Sequence, residues 1–438
     1  MTIKAEWLQA WKAEDPRAYS DRCRHPVDVV FIDGQIKLMK AFGIRTWKEL
    51  CYWNFASAIK RHFQGGAHTV VLAFDDYAHV PTAKNMTQSK RTRHVPQVAV
   101  HKNETLPATI PENWAECIMN RTFKTKVIRL VIEAVPALVQ LQPGQRLIID
   151  HAGHPVEHTV DAPPRELTEL PPLGEADVKF PRYAPFGRMV AEATDGDYVP
   201  IALLHIERCV REGAPPPDVS IYRMSINLKG PKRTAAGDVK FTYEFLHVNT
   251  LYEQLKRSVF LKLGRSEARL GCARGYEMNV LAALVACTGC DFSRGLPYLG
   301  PRKIWDNLGL VWPGVLAAAA TPAAAQPAAP LTLDAATVAD RVFARLYCVA
   351  YHRHVGSDRA PMHEVARRLK EQSSLAESTR ARLPSLRNAL CVARNANWVL
   401  AYWACQPDCP DPLAGEFGFA RDARGRPCWE DSLPHTAS

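Results

Sequence analysis

Residues 27–33 read VDVVFID, an apolar run that ends in an aspartate. Three later stretches repeat this pattern, namely HTVVLAFD (68–75), RLIID (146–150) and MVAEATD (189–195). Segments with helical apolar spacing, as at 44–63 and 120–141, lie between them. This alternation predicts an α/β fold with a mostly parallel sheet that is flanked by helices and buried on both faces. Sheets of this kind place functional groups at the carboxyl ends of their strands, which is where these acids fall.

The composition indicates the class of partner. A formal net charge of +10 over 438 residues favours a polyanionic partner such as nucleic acid. Twelve cysteines are scattered without a disulfide framework or a paired zinc spacing, which predicts reduced thiols. The sequence has no apolar run near the roughly 18 residues of a membrane span, so no membrane partner is expected. The expected location is intracellular, in the nucleus or cytoplasm, and the high use of Ala, Arg and Pro suits a large DNA virus or a GC-rich genome.

Changes in composition divide the chain into segments. Residues 1–246 are expected to form the α/β core, and 247–312 a helical region. The Ala- and Pro-rich stretch 313–334 predicts a linker or insertion. Helical periodicity returns at 335–405, before a tail at 406–438 that is rich in Pro, Gly and charge.

Seven carboxylates form the candidate catalytic and metal-binding set: Asp33, Asp75, Glu175, Asp177, Asp195, Asp197 and Asp291. Each of them taken alone is more readily explained as a helix cap or a loop acid. Gathered together, they would repel one another and raise their pKa values unless cations neutralise them. Oxygen-only ligand sets suit Mg²⁺ or Mn²⁺, and two such ions can promote phosphodiester hydrolysis. The set therefore favours a metal-dependent nuclease.

A basic segment, DDYAHVPTAKNMTQSKRTRH (75–94), begins at the second of these acids. On a helix, Lys84, Gln88 and Arg91 would lie at i, i+4 and i+7 and share one face. A lysine, an amide and an arginine on one face could bind a terminal phosphate. The alternative is a solvated basic helix with no ligand.

Residues 288–303 read TGCDFSRGLPYLGPRK, with Asp291 beside a loop rich in Gly and Pro. A turn between two helices is enough to explain such a loop. If the loop instead holds nucleic acid, backbone without Cβ atoms can approach a phosphate closely. The candidate phosphate contacts in this loop are Gly295, Gly300, Arg302 and Lys303.

The order and spacing of the acids over about residues 27–310 resemble the flap-endonuclease/Xrn superfamily of metal-dependent 5′ nucleases. The motifs that carry the resemblance are FIDG, AFDD, GEADVKF, TDGD and TGCDFSRGLPYLGPRK. The resemblance implies a PIN-like catalytic domain, a helix-two-turn-helix within 247–312 and a helical arch or cap within 78–141. It also implies two Mg²⁺ or Mn²⁺ ions at the seven acids and a K⁺ ion at the helix-two-turn-helix.

The motifs resemble both branches of the superfamily, the Xrn branch and the flap-endonuclease branch. PTAKNMTQSKR resembles the Xrn segment, which implies a 5′-monophosphate pocket at Lys84, Gln88 and Arg91, whereas the loop after Asp291 resembles the flap branch. Several positions depart from the pattern, including a missing glycine after Met1 and Thr92 in place of an arginine. Asp177 replaces the family's glutamate, and Met39 replaces an aromatic or His that would stack on the 5′ base.

These features predict a 5′ nuclease that acts on RNA or DNA by a two-metal mechanism, as a 5′→3′ exonuclease, a flap-type endonuclease or both. The expected partner is single-stranded or 5′-flap nucleic acid. The alternative is a catalytically silent scaffold or regulator that binds nucleic acid with the same fold.

Overall fold

The chain forms an α/β fold around one nine-stranded mixed sheet in a computed structural model. The residues that the structure describes are 3–39, 41, 43–76, 106–224, 232–233, 239–240, 243–290, 296, 299–320, 332–350, 361–371, 377, 384–404, 409, 411–413, 417–424 and 427–430.

The described strands are β1 (Tyr19–Ser20), β2 (Val29–Asp33), β3 (Thr69–Ala73), β4 (Arg146–Asp150), β5 (Val156–His158), β6 (Arg165–Glu166), β7 (Met189–Glu192), β8 (Val219–Met224), β9 (Lys232–Arg233), β10 (Val239–Lys240), β11 (Tyr243–His247), β12 (Ala319–Ala320), β13 (Thr332–Leu333), β14 (Phe419–Arg421) and β15 (Pro427–Trp429). The large sheet has the order β1-β11-β8-β7-β2-β3-β4-β5-β6. Its centre, from β8 to β4, is parallel, and antiparallel strands extend both edges. The predicted α/β class with a mostly parallel central sheet is confirmed.

The described α-helices are α1 (Ile3–Glu14), α2 (Gly34–Met39), α3 (Trp47–Glu49), α4 (Ser57–Gln64), α5 (Trp114–Cys117), α6 (Arg121–Val139), α7 (Ala176–Lys179), α8 (Tyr198–Arg211), α9 (Val248–Lys262), α10 (Glu267–Leu270), α11 (Glu277–Thr288), α12 (Pro301–Asp306), α13 (Leu308–Ala318), α14 (Ala335–Thr337), α15 (Ala344–Ala350), α16 (Met362–Glu371) and α17 (Leu386–Trp403). The π-helical segment Leu50–Ala56 joins α3 to α4. Within the described ranges, no helix is long and apolar enough to cross a membrane.

The central strands are apolar on both faces because helices cover both. All five residues of β2 are buried, and its side chains alternate between two separate cores. Val30 and Ile32 pack with α4 and α6, whereas Val29 and Phe31 join a larger core that includes the C-terminal helices. Strands buried on both faces read as continuous apolar runs, which explains the VVFID pattern.

Gly34, which follows the aspartate at the end of β2, is required by a close approach. A Cβ atom at this position would lie 2.3 Å from the Phe74 ring, which is far inside van der Waals contact. Phe74 itself is fully buried directly after β3. The FIDG glycine therefore allows the chain to turn into α2 against the neighbouring strand end.

Helix α11 organises the C-terminal half. All twelve of its residues are buried, and it packs against α8 and α17. Its N-terminus is capped by Glu207 of α8, whose carboxylate accepts hydrogen bonds from the backbone N–H groups of Met278 and Asn279 at 2.7 and 3.0 Å. A helix that is apolar on all sides must lie inside the fold, and this one holds the C-terminal helices against the sheet.

Helix α1 braces both sides of the loop between α11 and α12. The Trp7 indole N–H donates a hydrogen bond to the Thr288 hydroxyl at 2.9 Å, at the end of α11. The rings of Trp7 and Trp11 also pack against Trp305 of α12, with ring centres 6.5 and 6.4 Å away. These contacts fix the two helices that flank the predicted phosphate-binding loop.

Structure also occurs at the predicted linker and tail. Helix α13 runs to Ala318, and β12 pairs with β13 across the Ala- and Pro-rich tract. In the tail, β14 pairs antiparallel with β15, and Phe419 and Trp429 join the larger core. In the described parts of both segments, apolar side chains join the larger core.

Candidate metal-binding active site

A cavity of about 440 Å³ opens beside the carboxyl ends of β2, β3 and β7. Four of the predicted acids line it: Asp33, Asp75, Asp177 and Asp195. They come from four separate segments, because Asp33 ends β2, Asp75 follows β3, Asp177 lies in α7 and Asp195 follows β7. Parallel strands end at the same edge of the sheet, so residues far apart in sequence meet there.

Asp33 is buried and held by two hydrogen bonds. Its Oδ1 accepts from the backbone N–H of Gln35 at 2.9 Å, and its Oδ2 accepts from the Tyr198 hydroxyl at 3.1 Å. Burial, followed by the charge of Asp75, raises the pKa of Asp33 to about 7. A carboxylate buried among other carboxylates favours either a proton or a bound cation.

Asp75 joins the end of β3 to the start of α7. Its Oδ1 accepts a hydrogen bond from the backbone N–H of Ala176 at 3.1 Å, in the first turn of α7. The next residue, Asp76, is buried, and its N–H donates to the Gly174 carbonyl at 2.6 Å. The two bonds tie the GEAD segment to the strand end, which explains how an acid from each reaches one cavity.

Glu175 and Asp177 lie at the entrance of α7, where Glu175 is the N-cap residue and Asp177 is in the first turn. Both side chains are buried. Tyr402, from the last turn of α17, is buried close to Glu175. Burial, together with the charges of Glu175, Asp177 and Asp75, raises the pKa of Tyr402 well above its usual value. The C-terminal helical region thus contributes a side chain to the acid cluster.

The TDGD segment leads from β7 into α8. Asp195 is exposed at the cavity, and its Oδ1 accepts a hydrogen bond from the backbone N–H of Asp197 at 3.2 Å. Asp197 is the buried N-cap residue of α8, and the helix places Tyr198 beneath Asp33 as its first residue. Burial and the nearby carboxylates, Asp33 first, raise the pKa of Tyr198 well above its usual value.

The donor set fits a hard divalent cation. Four carboxylates line one cavity, and burial, followed by the charge of Asp75, raises the pKa of Asp33 there. Carboxylate oxygens are the ligands that Mg²⁺ and Mn²⁺ prefer, and Mg²⁺ keeps several of its waters. Among the described side chains, no group of three or more His, Cys, Asp or Glu is already arranged to hold a metal ion. The residues therefore supply suitable oxygens without a preformed cage.

Asp150, which ends β4, has a different environment at the same edge of the sheet. It is fully buried, and its Oδ1 lies 3.2 Å from Nζ of Lys179, the last residue of α7. Arg182 forms an ion pair with Oδ2, and the Tyr183 hydroxyl donates to the same oxygen at 2.6 Å. This strand-end acid is neutralised within the fold, and it does not line the cavity.

The remaining predicted site residues lie elsewhere or outside the described ranges. Gly300 precedes α12, Arg302 pairs with Asp306 at 2.9 Å on the exposed face of that helix, and Lys303 lies on the same face. None of the three is among the described residues that line the cavity. The predicted site residues outside the described ranges are Lys84, Gln88, Arg91, Asp291 and Gly295.

Three residues near the site were not predicted from the sequence. Tyr198 follows the paired acids directly, so its position next to TDGD is a usable signal. Tyr402 lies more than 200 residues from the last acid of TDGD, in a helix with no motif. Arg223 is buried on β8 with a pKa lowered by burial, which the charges of Tyr19, Glu244 and Asp195 partly offset. Contacts between remote segments place the last two.

No family model matches the chain, and a search of curated proteins finds no match. The motif residues and the geometry described above are therefore the basis for assigning a function.

Proposed function

We propose that this protein is a metal-dependent 5′ nuclease that hydrolyses phosphodiester bonds of RNA or DNA. The observation that carries the proposal is the meeting of four acids from four segments in one cavity at the carboxyl edge of the sheet. Holding acids together lowers the stability of a fold unless a positively charged ligand compensates. A cluster of this kind is therefore expected to have a function that needs cations.

The PIN-like, flap-endonuclease/Xrn assignment belongs to the same proposal. It is supported by the order of the acids along the chain and by the parallel strands that deliver them. The position of Asp177 in the first turn of α7 adds support, because it lines the cavity there, and Glu175 is buried two residues before it.

Asp33, Asp75, Glu175 and Asp177 would hold one Mg²⁺ or Mn²⁺ ion, and Asp195, Asp197 and Asp291 a second. When bound, the ions supply Lewis-acid activation of the phosphodiester and of the attacking water. The hydrolysis leaves a 5′-phosphate on one product.

The chain's own groups fix the ligand oxygens before substrate arrives. The Tyr198 hydroxyl orients Asp33, the Ala176 N–H orients Asp75, and the Asp197 N–H orients Asp195. Each of these donors lies at the start of a helix, since α7 begins at Ala176 and α8 begins at Tyr198, directly after Asp197. Oxygens that are held in advance need less reorganisation when charge develops in the transition state.

The partner in this proposal is nucleic acid. The helices α11 and α12, braced by α1, would act as the helix-two-turn-helix, with Gly295, Gly300, Arg302 and Lys303 near a backbone phosphate and a K⁺ ion. Lys84, Gln88 and Arg91 would bind the 5′ end. Backbone contacts of this type position a strand without reading its sequence.

The test is cleavage of labelled single strands, 5′ flaps and duplexes of RNA and DNA during titration with Mg²⁺ or Mn²⁺. We expect metal-dependent cleavage, and we expect Asp195→Asn to lower its rate by about 1000-fold. Binding of the same strands should be retained, because Asp195 is exposed and its loss leaves the core intact.

Asp28→Asn is the matched control. Asp28 lies at the opposite end of the β2 segment, where it pairs with Arg188 at 2.8 Å. This variant should cleave at the wild-type rate. Full cleavage by Asp195→Asn, or cleavage that needs no divalent cation, would contradict the proposal, and binding without cleavage would favour a scaffold.

A further inference from the structure

Arg223 of β8 is a buried arginine whose guanidinium is largely without hydrogen bonds. The residue is 6% exposed. Two of its three guanidinium nitrogens, Nε and Nη1, have no hydrogen-bond acceptor within the part of the chain that the structure describes. Buried charges are normally paired, because an unpaired charge in the interior of a protein lowers its stability. Arg223 is therefore expected to serve something other than the stability of the fold.

The acid that lies opposite Arg223 in the sheet is paired with another cation. The antiparallel register of β8 with β11 sets Glu244 opposite Arg223. The Glu244 carboxylate forms its ion pair with Nζ of Lys12, which comes from α1. Lys12 and Glu244 neutralise each other, so this part of the interior keeps the positive charge of Arg223 in excess.

Arg223 also lies near Asp195, one of the four acids that line the cavity of about 440 Å³, here called the carboxylate cavity. Strands β7 and β8 pair in parallel as far as Glu192 and Tyr222, and the Ala193 N–H donates to the Tyr222 carbonyl at 3.1 Å. Arg223 follows Tyr222 directly, and Asp195 comes two residues after Ala193, so both lie at the carboxyl edge of the sheet. Asp195 is accordingly among the charges that act on the Arg223 guanidinium.

The carboxylate cavity needs a positive charge from the protein. Its described lining includes four acids and neither a lysine nor an arginine. In the proposed site, seven carboxylates carry more negative charge than two divalent ions neutralise, and a phosphodiester brings one negative charge more. Water and salt screen a buried charge only weakly, so the charge of Arg223 acts on groups at the neighbouring edge of the sheet.

We propose that Arg223 is a positioning residue of the carboxylate cavity, which attracts the Asp195 carboxylate and offsets the charge of the acids so that an anionic phosphodiester can bind beside them. The same positive charge weakens the binding of cations and strengthens the binding of phosphates. This inference rests on the proposed function for the identity of the two ligands, and it is tested by binding rather than by cleavage.

Arg223→Met and Arg223→Gln remove the charge and keep a side chain of moderate length, whereas Arg223→Lys keeps a charge. Mn²⁺ affinity is measured by isothermal titration, and affinity for a labelled single-stranded oligonucleotide by fluorescence anisotropy in Ca²⁺, which also takes oxygen ligands. Both neutral variants should bind Mn²⁺ about 5-fold more tightly and the oligonucleotide about 5-fold more weakly, because a positive charge near Asp195 is lost. Arg223→Lys should retain most of the wild-type affinity for each ligand.

The opposite signs of the two changes separate this role from a structural one. Loss of a side chain that only packs would weaken both kinds of binding or neither. Arg188→Met is the matched control, because Arg188 pairs with Asp28 at the opposite end of the sheet. Loss of that charge should leave both affinities unchanged.

Unchanged or weaker Mn²⁺ binding in both neutral variants would overturn the inference, as would an Arg223→Lys variant that behaves like them. Cleavage of the same strands in Mg²⁺ is scored separately. If strands are cleaved while the neutral variants keep wild-type affinities, the nuclease assignment is supported and the role of Arg223 is wrong. If the two affinities change with opposite signs while no strand is cleaved, the role of Arg223 is supported and the nuclease assignment is wrong.

Discussion

Asp33 and Asp150 end two strands of one sheet, with β3 between them, and their carboxylates have opposite environments. Both follow the same apolar pattern, in VVFID and RLIID. Asp150 is held by Lys179, Arg182 and Tyr183. Asp33 instead faces Asp75 and Asp195 across a cavity, and its pKa rises to about 7.

The charges around a buried acid distinguish a structural carboxylate from a functional one. A buried carboxylate that serves the fold is accompanied by cations from its own chain. A buried carboxylate among other carboxylates lowers the stability of the fold and implies a ligand. Helix α7 serves both kinds, because Asp177 lines the cavity while Lys179, two residues later, pairs with Asp150.

The largest expected effect on the fold comes from Lys179. Its Nζ donates to the Phe74 carbonyl at 2.7 Å in a fully buried site, besides pairing with Asp150. Lys179→Met should lower the free energy of unfolding by about 4 kcal/mol, because the Phe74 carbonyl loses its donor and the buried Asp150 carboxylate loses one of its cations. Guanidinium unfolding followed by tryptophan fluorescence measures the change.

Arg188→Met provides the comparison for this variant. Arg188 also pairs with an aspartate, Asp28, but its side chain is 44% exposed. Exposed ion pairs contribute little to stability, so the change should be much smaller. Equal changes in the free energy of unfolding for the two variants would mean that Lys179 does not stabilise the end of β4 more than an exposed ion pair would.

Replacing Asp33 should instead raise the free energy of unfolding. An unfolded aspartate titrates near 3.9, whereas folded Asp33 titrates at about 7. Between these values the native state binds more protons, so metal-free wild type loses stability as the pH rises. Asp33→Asn lacks this loss and should exceed wild type by on the order of 4 kcal/mol at pH 8, with the difference fading toward pH 4.

Unfolding curves in EDTA at several pH values measure this difference. Asp28→Asn is again the control, because Arg188 lowers the pKa of Asp28 to about 2. Its stabilising contribution is present above pH 4 and is lost below it, so its pH dependence has the opposite sign. A pH-independent difference for Asp33→Asn would show that the pKa of Asp33 is not raised in the folded protein.

A smaller effect is expected from replacing the tyrosines that lie next to Glu175 and Asp150. Tyr402 lies beside Glu175, whereas Tyr183 donates to Asp150. Tyr402→Phe should lower cleavage and Mn²⁺ affinity by about 10-fold, because a group that positions a ligand carboxylate is lost. Tyr183→Phe should instead cost about 1 kcal/mol of stability and leave cleavage unchanged.

Isothermal titration with Mn²⁺ separates positioning from a general structural role. If Tyr402→Phe lowers stability but leaves Mn²⁺ affinity unchanged, Tyr402 serves only the packing of α17. Lower Mn²⁺ affinity in Tyr183→Phe would contradict the distinction between Glu175 as a metal ligand and Asp150 as a structural acid.

The central strands and the α/β class can be predicted from the sequence alone, because strands buried on both faces have to be continuously apolar. The sequence also placed Asp33, Asp75 and Asp195 at or just after strand ends, and parallel pairing brings such ends to one edge. The same pattern did not separate Asp33 from Asp150, since the cations that neutralise Asp150 come from a helix turn about 30 residues later.

Packing between distant segments determines which remote groups meet at that edge. Tyr402 reaches Glu175 because α17 packs against the buried helix α11, and no local pattern marks that contact. Tyr222 and Tyr243 become a stacked pair through the antiparallel register of β8 with β11, opposite basic residues from α2 and α4. Local periodicity reflects which face of an element is buried, whereas the identity of its neighbours is fixed by packing between segments far apart in the chain.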